Sequence, residues 1–286
     1  MAIKFSDGKN NAKLVTLAAL AVTQDWPIGV VRQAGKPAQA RVATWSLRSG
    51  HNCPGARDCH SRVVEQTGEN GRLKLSVVDG KHTEFRCFAA SDEARQTNVY
   101  LSRRANEEIL AICAKSANDG AKALCAALPK WATIVRIHVG GDFKTLAYFD
   151  AWLRVVEDNP NRLFYAYTKS LPFWVKRLDR VNRLDNLVLT ASRGGKHDAL
   201  ISAYGLREAI VVDFETNEQR TQFCEDRGIG ESGLTTAEEM GLVVDHDDSS
   251  AASPANRANN FALALHGTQP AGTDRAKVSN WNKYNA

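Results

Sequence analysis

The stretch WSLRSGHNCPGARDCHSR at residues 45–62, followed by FRCFAASDEA at 85–94, carries three of the six cysteines and decides how the rest of the chain reads. Cys53 and Cys59 flank five residues that include Pro54 and Gly55, and Cys87 comes 28 positions later, directly ahead of a small-residue run able to open a helix. Val42–Leu47 reads as a strand running into this loop. Thiolates suit zinc or iron-sulfur clusters, and a Pro-Gly turn between two of them lets both sulfurs face one point. His51, His60 and His82 lie close in sequence. With one of them the set is Cys3His, a closed zinc site; without one, three cysteines leave one iron of a 4Fe-4S cluster open to a substrate or cofactor. Inert core thiols are the bland alternative, but core cysteines rarely sit in a loop rich in Gly, Pro, Asp and His.

Downstream the chain alternates. Ser91 to about Leu128 has helical periodicity that Gly120 is expected to divide in two. Strands are expected at Ile134–Val139, Leu163–Thr168, Leu187–Ala191, Ile210–Phe214 and Leu242–Val244, with helices at Ala147–Val156 and Phe173–Leu178. Strands alternating with helices imply parallel pairing and right-handed crossovers. The expected class is therefore α/β, a partial or complete (βα) barrel with the cysteine loop after its first strand. Residues 1–40 read as an N-terminal helix and connection, 41–250 as the barrel, and 251–286 as a tail that wraps it. Arg62–Glu84, with Gly68, Gly71 and Gly80, reads as a hairpin inserted between the cysteines.

Functional groups of a βα barrel gather at the carboxyl ends of its strands. Here those exits are polar: Gly140-Gly141-Asp142, then Thr168-Lys169, Ser192-Arg193-Gly194-Gly195, Asp213 with Glu215, and Asp245-His246-Asp247-Asp248. Gly140 and Gly141 let a ligand approach the backbone, and Asp142 supplies a carboxylate to bind an ammonium group or act as base or nucleophile. Lys169 reads as an anion ligand or proton donor. Ser192 and Arg193 with the two glycines read as a phosphate or carboxylate cradle. Asp245 and His246 read as a metal site or a tuned base, and His138 as a core histidine. Asp142, Lys169, Arg193 and His246 are expected to line one pocket with the cysteines.

Across 286 residues, 37 Lys and Arg against 32 Asp and Glu give a net charge of +5, and 43% hydrophobic content is enough for a substantial core. A modest positive excess suits a nucleotide or nucleic acid. KLVTLAALAV at residues 13–22 is too short and too interrupted for a membrane span and reads as a helix; no membrane partner is expected. Ligand thiols need a reducing compartment, so a cytoplasmic location is expected. Oligomeric state is not legible in the sequence.

CPGARDC, RCFAASDEA, RIHVGGDF, YFDAWL, FYAYTKSLPFW, LTASRGGKHD, DHDDS and FALALHGTQPAG, spread from about Trp45 to Gly272, together resemble the gene-88 product family of mycobacteriophages and related phage and plasmid proteins. Their order is similar to that of radical S-adenosylmethionine enzymes, in which a first strand leads to three cysteines and a second strand ends in Gly-Gly-acid. That likeness implies a 4Fe-4S cluster on Cys53, Cys59 and Cys87, with Gly140, Gly141 and Asp142 at the amino group of S-adenosylmethionine. The cysteine spacing is wider than in that superfamily, and Asp142 stands where Glu is usual. Three functions are weighed: an iron-sulfur enzyme modifying a nucleotide or nucleic acid; a zinc-containing base-exchange enzyme similar to 7-deazaguanine transglycosylases, with Asp142 as nucleophile; and a metal-stabilised nucleic-acid-binding or host-inhibitor protein without catalysis.

Overall fold

The computed structural model describes residues 3–68, 71 and 73–285. In chain order its strands are β1 (Ser6–Asp7), β2 (Val42–Trp45), β3 (Ser61–Thr67), β4 (Leu73–Asp79), β5 (Ile134–Ile137), β6 (Leu163–Thr168), β7 (Leu187–Ser192), β8 (Glu208–Val212) and β9 (Phe261–Ala264). The helices are α1 (Ala12–Thr23), α2 (Phe88–Arg95), α3 (Thr97–Asn106), α4 (Glu108–Lys115), α5 (Ala117–Ala127), α6 (Leu146–Glu157), α7 (Leu171–Lys176), α8 (Leu178–Asn182), α9 (Ala199–Tyr204), α10 (Asn217–Glu225), α11 (Ser249–Ala252) and α12 (Asp274–Asn285).

Runs such as Leu163–Thr168 and Leu187–Ser192 are buried on nearly every residue, as parallel strands covered on both faces must be. They sit inside one seven-stranded sheet ordered β1-β2-β5-β6-β7-β8-β9. β1 is antiparallel to β2 and all other pairs are parallel. Each parallel strand neighbours the next one of the sheet in sequence, so every crossover steps the same way. Right-handed crossovers then gather α4 to α9 on one face. There Trp45, Val135, Ile137, Phe164 and Leu189 meet Ile109, Leu124, Phe149 and Trp152. On the other face Val42, Ile134, Leu163, Tyr165, Val188 and Phe261 pack against Leu14, Leu17 and Ala21 of α1 and against Ala251 and Ala252 of α11. β1 and β9 are the edges, and no strand pairing joins them among the described residues. None of the helices described is long and apolar enough to cross a membrane.

The sheet takes strands from both flanking segments. β9 pairs with β8 from Ala209↔Phe261 to Val212↔Ala264, so a division at residue 250 cuts through the sheet. Leu242–Val244 is not a strand: Val244 makes a single parallel bridge to Ala262, and Val243 is exposed. The expected hairpin is present as β3 and β4. Gly120 does not divide the helical region. The breaks fall at Gln96, Glu107 and Ser116, the Ser116 hydroxyl accepting the Asp119 N–H at 3.2 Å, and Gly120 lies within α5, where a Cβ would overlap the Cys113 sulfur. That places Cys113 in a helix-helix contact, as expected of a core thiol.

Candidate functional site

The exits of β2, β5, β6 and β7 open on one cavity of about 440 Å³. Cys53, Cys59, Cys87, Gly140, Gly141, Asp142, Lys169 and Ser192 all line it. The loop carrying Cys53 and Cys59 leaves β2 and lies across the exits of β6 and β7. Ala56 bridges Gly195, the Asp58 N–H reaches the Gly194 carbonyl at 3.0 Å, and the Lys196 N–H reaches the Gly55 carbonyl at 2.9 Å. The Asp142 N–H bonds the Asn52 carbonyl at 3.0 Å, tying the loop to the exit of β5. Cys87 immediately precedes α2. This helix is fixed by fully buried Glu93, one of whose oxygens accepts from the Ser49 N–H and hydroxyl and from Arg103.

Burial is the largest influence on all three thiols and raises each of them. It pushes Cys59 up to about 11, with Lys169 opposing. Cys53 is raised further by Asp142 and the other two cysteines, while the N–H groups of Ala90 and Ala89 favour the Cys87 thiolate. Among the described residues no three His, Cys, Asp or Glu side chains are grouped as a single metal ion needs. None of the three histidines nearest in sequence lines this cavity. His51 Nε2 is 2.9 Å from the Val63 carbonyl, and His60 and His82 line a different one.

At the exit of β5 the glycines serve packing as well as access. A Cβ on Gly141, at φ +77°, would come 2.9 Å from the Leu47 carbonyl oxygen, and one on Gly140 would come 2.8 Å from Arg103. Asp142 is buried, which raises its carboxyl. It accepts from the Phe143 N–H at 2.7 Å, the Thr168 hydroxyl at 2.6 Å and the Lys169 N–H at 2.8 Å. It therefore clasps β5 to β6.

Several of the expected site residues have partners within the chain. The ammonium of Lys169 donates to the Ser192 carbonyl at 2.8 Å, the Ser192 hydroxyl at 3.0 Å and the Arg193 carbonyl, so its three donors are spent clasping β6 to β7. The expected anion cradle is filled from within: Gly194 and Gly195 donate to the Asp198 carboxylate at 2.8 and 3.0 Å, and Arg193 pairs with both oxygens of Glu208, away from the cavity. His246 is 58% exposed beside Glu215, at 3.3 Å, and does not reach the cavity either. Asp245 is buried, accepting from the Ala251 and Asp247 N–H groups, and holds its own loop. Asp213 is buried against Thr235 and Arg275.

Other cavity residues escaped sequence reading. Arg136, on the side of β5 facing α1, pairs with Asp248 at 2.6 Å, and the same Asp248 oxygen accepts from Tyr165 at 2.8 Å. Tyr167 lies against Arg136, whose guanidinium carbon is 5.5 Å from the ring centroid. Arg136 Nε and the Tyr167 hydroxyl are buried with no partner. His266 packs against Phe88 beside Cys87, with centroids 5.2 Å apart. The available signal was the lone arginine in the apolar run Ile134–Ile137.

His138 departs from a satisfied core histidine. Its φ is +65°, a left-handed conformation uncommon outside glycine. Trp45 donates to the Tyr148 hydroxyl at 2.7 Å, His138 Nε2 lies 3.0 Å from that hydroxyl, and His138 Nδ1 is buried without a partner. Burial holds the imidazole down at about 3. The folded pKa is thus below the unfolded one, so the unfolded chain binds the proton first. The contribution is complete above about pH 6.5 and fades as pH falls toward 3. His138→Asn, which keeps a residue tolerant of this backbone, is expected to flatten the acid limb of urea stability by up to about 1.4 kcal/mol per pH unit. Parallel wild-type and variant curves between pH 6.5 and 4 would refute it.

A family model described as Gene product 88 matches residues 6–283. The chain belongs to this family. No curated protein and no solved structure matches it. The matched span includes every residue that lines the cavity, from Asn11 to His266.

Proposed function

We propose that the protein is an iron-sulfur enzyme resembling radical S-adenosylmethionine enzymes, acting on a nucleotide or nucleic acid. The observation carrying this reading is the convergence of Cys53, Cys59, Cys87 and the Gly140-Gly141-Asp142 exit on one cavity at the carboxyl ends of parallel strands. The sequentially ordered, open sheet is read as a partial (βα) barrel, the architecture that collects function at those ends. The donor set suits a 4Fe-4S cluster: three thiols share a cavity roomy enough for a further ligand, and His51, His60 and His82, the histidines nearest the cysteines in sequence, do not line it, while His138 and His266 do. When bound, the cluster would supply one electron and an open iron at which S-adenosylmethionine docks.

The chain's own residues then bind and orient. Asp142 accepts three hydrogen bonds, and its two oxygens retain room for one more donor, which fits an ammonium group. The same three bonds draw charge from the carboxylate and weaken it as the nucleophile of a transglycosylase. Lys169 and Asp142 hold the β5, β6 and β7 exits in register beneath the cluster ligands. Anaerobic purification with metal analysis and equilibrium dialysis of S-adenosylmethionine tests the reading. About four irons per chain, visible absorption and dialysis-resistant cofactor are expected. Stoichiometric zinc in a colourless protein would overturn it and return the transglycosylase reading to first place.

A further inference from the structure

We infer that a second, basic cleft beside the cysteine cavity binds the phosphodiester backbone of a nucleic acid, so that the substrate arrives as part of a strand rather than as a free nucleotide; this rests on the cysteine cavity being the reaction site. The cleft, of about 470 Å³, is lined by Ala56, Arg57, His60, Lys81, His82 and Lys196. No carboxylate is among those residues. Arg57, Lys81, His82 and Lys196 are exposed. Asp58 lies 3.5 Å from the guanidinium of Arg57, itself 59% exposed, and Glu84 and Asp198 stand near Asp58, while the lining of the cleft itself is cationic.

The cations come from three segments that the backbone fixes together. The Gly80 N–H bonds the His60 carbonyl at 2.6 Å, placing Lys81 and His82, and the Lys196 N–H bonds the Gly55 carbonyl at 2.9 Å. The Lys196 ammonium also lies 3.1 Å from the Pro54 carbonyl. Ala56 borders both cavities, so the wall between them is the cysteine loop itself. A strand laid over this loop sets successive phosphates on the cations while one base enters the larger cavity, where Tyr167 and Phe88 offer aromatic faces. A free nucleotide has phosphate only at its own end and cannot occupy both. A bilayer surface cannot follow a concave cleft.

The test is fluorescence anisotropy of a labelled single-stranded oligonucleotide with the full chain at two or more salt concentrations, with iron content and circular dichroism read on the same preparations. Binding that weakens with salt is expected. Arg57→Ala, Lys81→Ala and Lys196→Ala combined should weaken it about tenfold and lower the slope of log affinity against log salt by about two, with iron content unchanged. Lys36→Ala, Lys115→Ala and Lys130→Ala remove the same charge from exposed sites elsewhere and should leave affinity within about twofold. Equal losses in the two triples would reduce the effect to general attraction and overturn the inference. So would no binding, or displacement by AMP as readily as by unlabelled oligonucleotide. If the cleft triple misfolds, Lys81→Glu alone supplies the same comparison. Absence of iron in wild-type protein would sink the iron-sulfur reading while leaving the oligonucleotide comparison to be decided separately, so the two failures are distinguishable.

Discussion

Serine in place of Cys53, Cys59 and Cys87 together is expected to strip the protein of iron, and each single substitution to remove most of it. These are the three thiols that line the cavity, and a cluster held by three protein ligands has no spare one. Cys113→Ala is the matched control. Cys113 is 1% exposed and packed on Gly120 between α4 and α5, so its loss should cost stability and leave iron untouched. Cys125 lies within hydrogen-bond reach of Asn159, 3.6 Å from its amide nitrogen, and Cys224 packs with Phe214 and Phe223, both apart from the cavity. Iron per chain, measured after anaerobic purification, is the readout. A triple variant holding as much iron as wild type would remove the premise on which the site was read.

The difference between what was legible and what was not follows from the physics of strand ends. Leu163–Thr168 was readable because a strand buried on both faces must be apolar throughout. The cysteine loop was readable because thiols beside Pro, Gly and Asp are poor core material. Which way a residue turns at a strand exit was not readable. Asp142 and Lys169 reach the cavity, whereas Arg193, one residue beyond β7, turns to Glu208, 15 positions on, and His246 to Glu215. Those partners are fixed by loop paths that no two-residue or 3.6-residue period encodes. The same limit hid the role of Asp248, which depends on Arg136 from a strand 112 positions earlier. The Gly194-Gly195 cradle misled for a related reason: a row of backbone N–H groups suits any carboxylate, and Asp198 supplies one from within the chain.

Gly55→Ala is expected to unseat the cysteine loop and release iron to nearly the extent of the cysteine substitutions. Two effects oppose each other. Gly55 has no positive φ, so alanine is conformationally acceptable there and would stabilise by about 0.4–1 kcal/mol through the unfolded chain. Against that, the new Cβ would overlap the carbonyl oxygen of Lys169 and stand 2.6 Å from its carbonyl carbon. The obstacle is backbone at the end of β6, clasped by Asp142 on one side and by the ammonium of Lys169 on the other, and it cannot swing aside as a side-chain tip would. Overpacking of this kind costs about 1–3 kcal/mol or more, so the steric cost prevails and the loop lifts. Lifting it breaks the Ala56–Gly195 bridge and the bonds to Gly194 and Lys196 that hold Cys53 and Cys59 over the cavity. Gly230→Ala, at a glycine with open space around it and no positive φ, should leave both iron content and thermal stability within error of wild type or slightly improve the latter. Retention of full iron and wild-type melting by Gly55→Ala would show that the loop is not anchored on β6 and that the cysteines are positioned by other contacts.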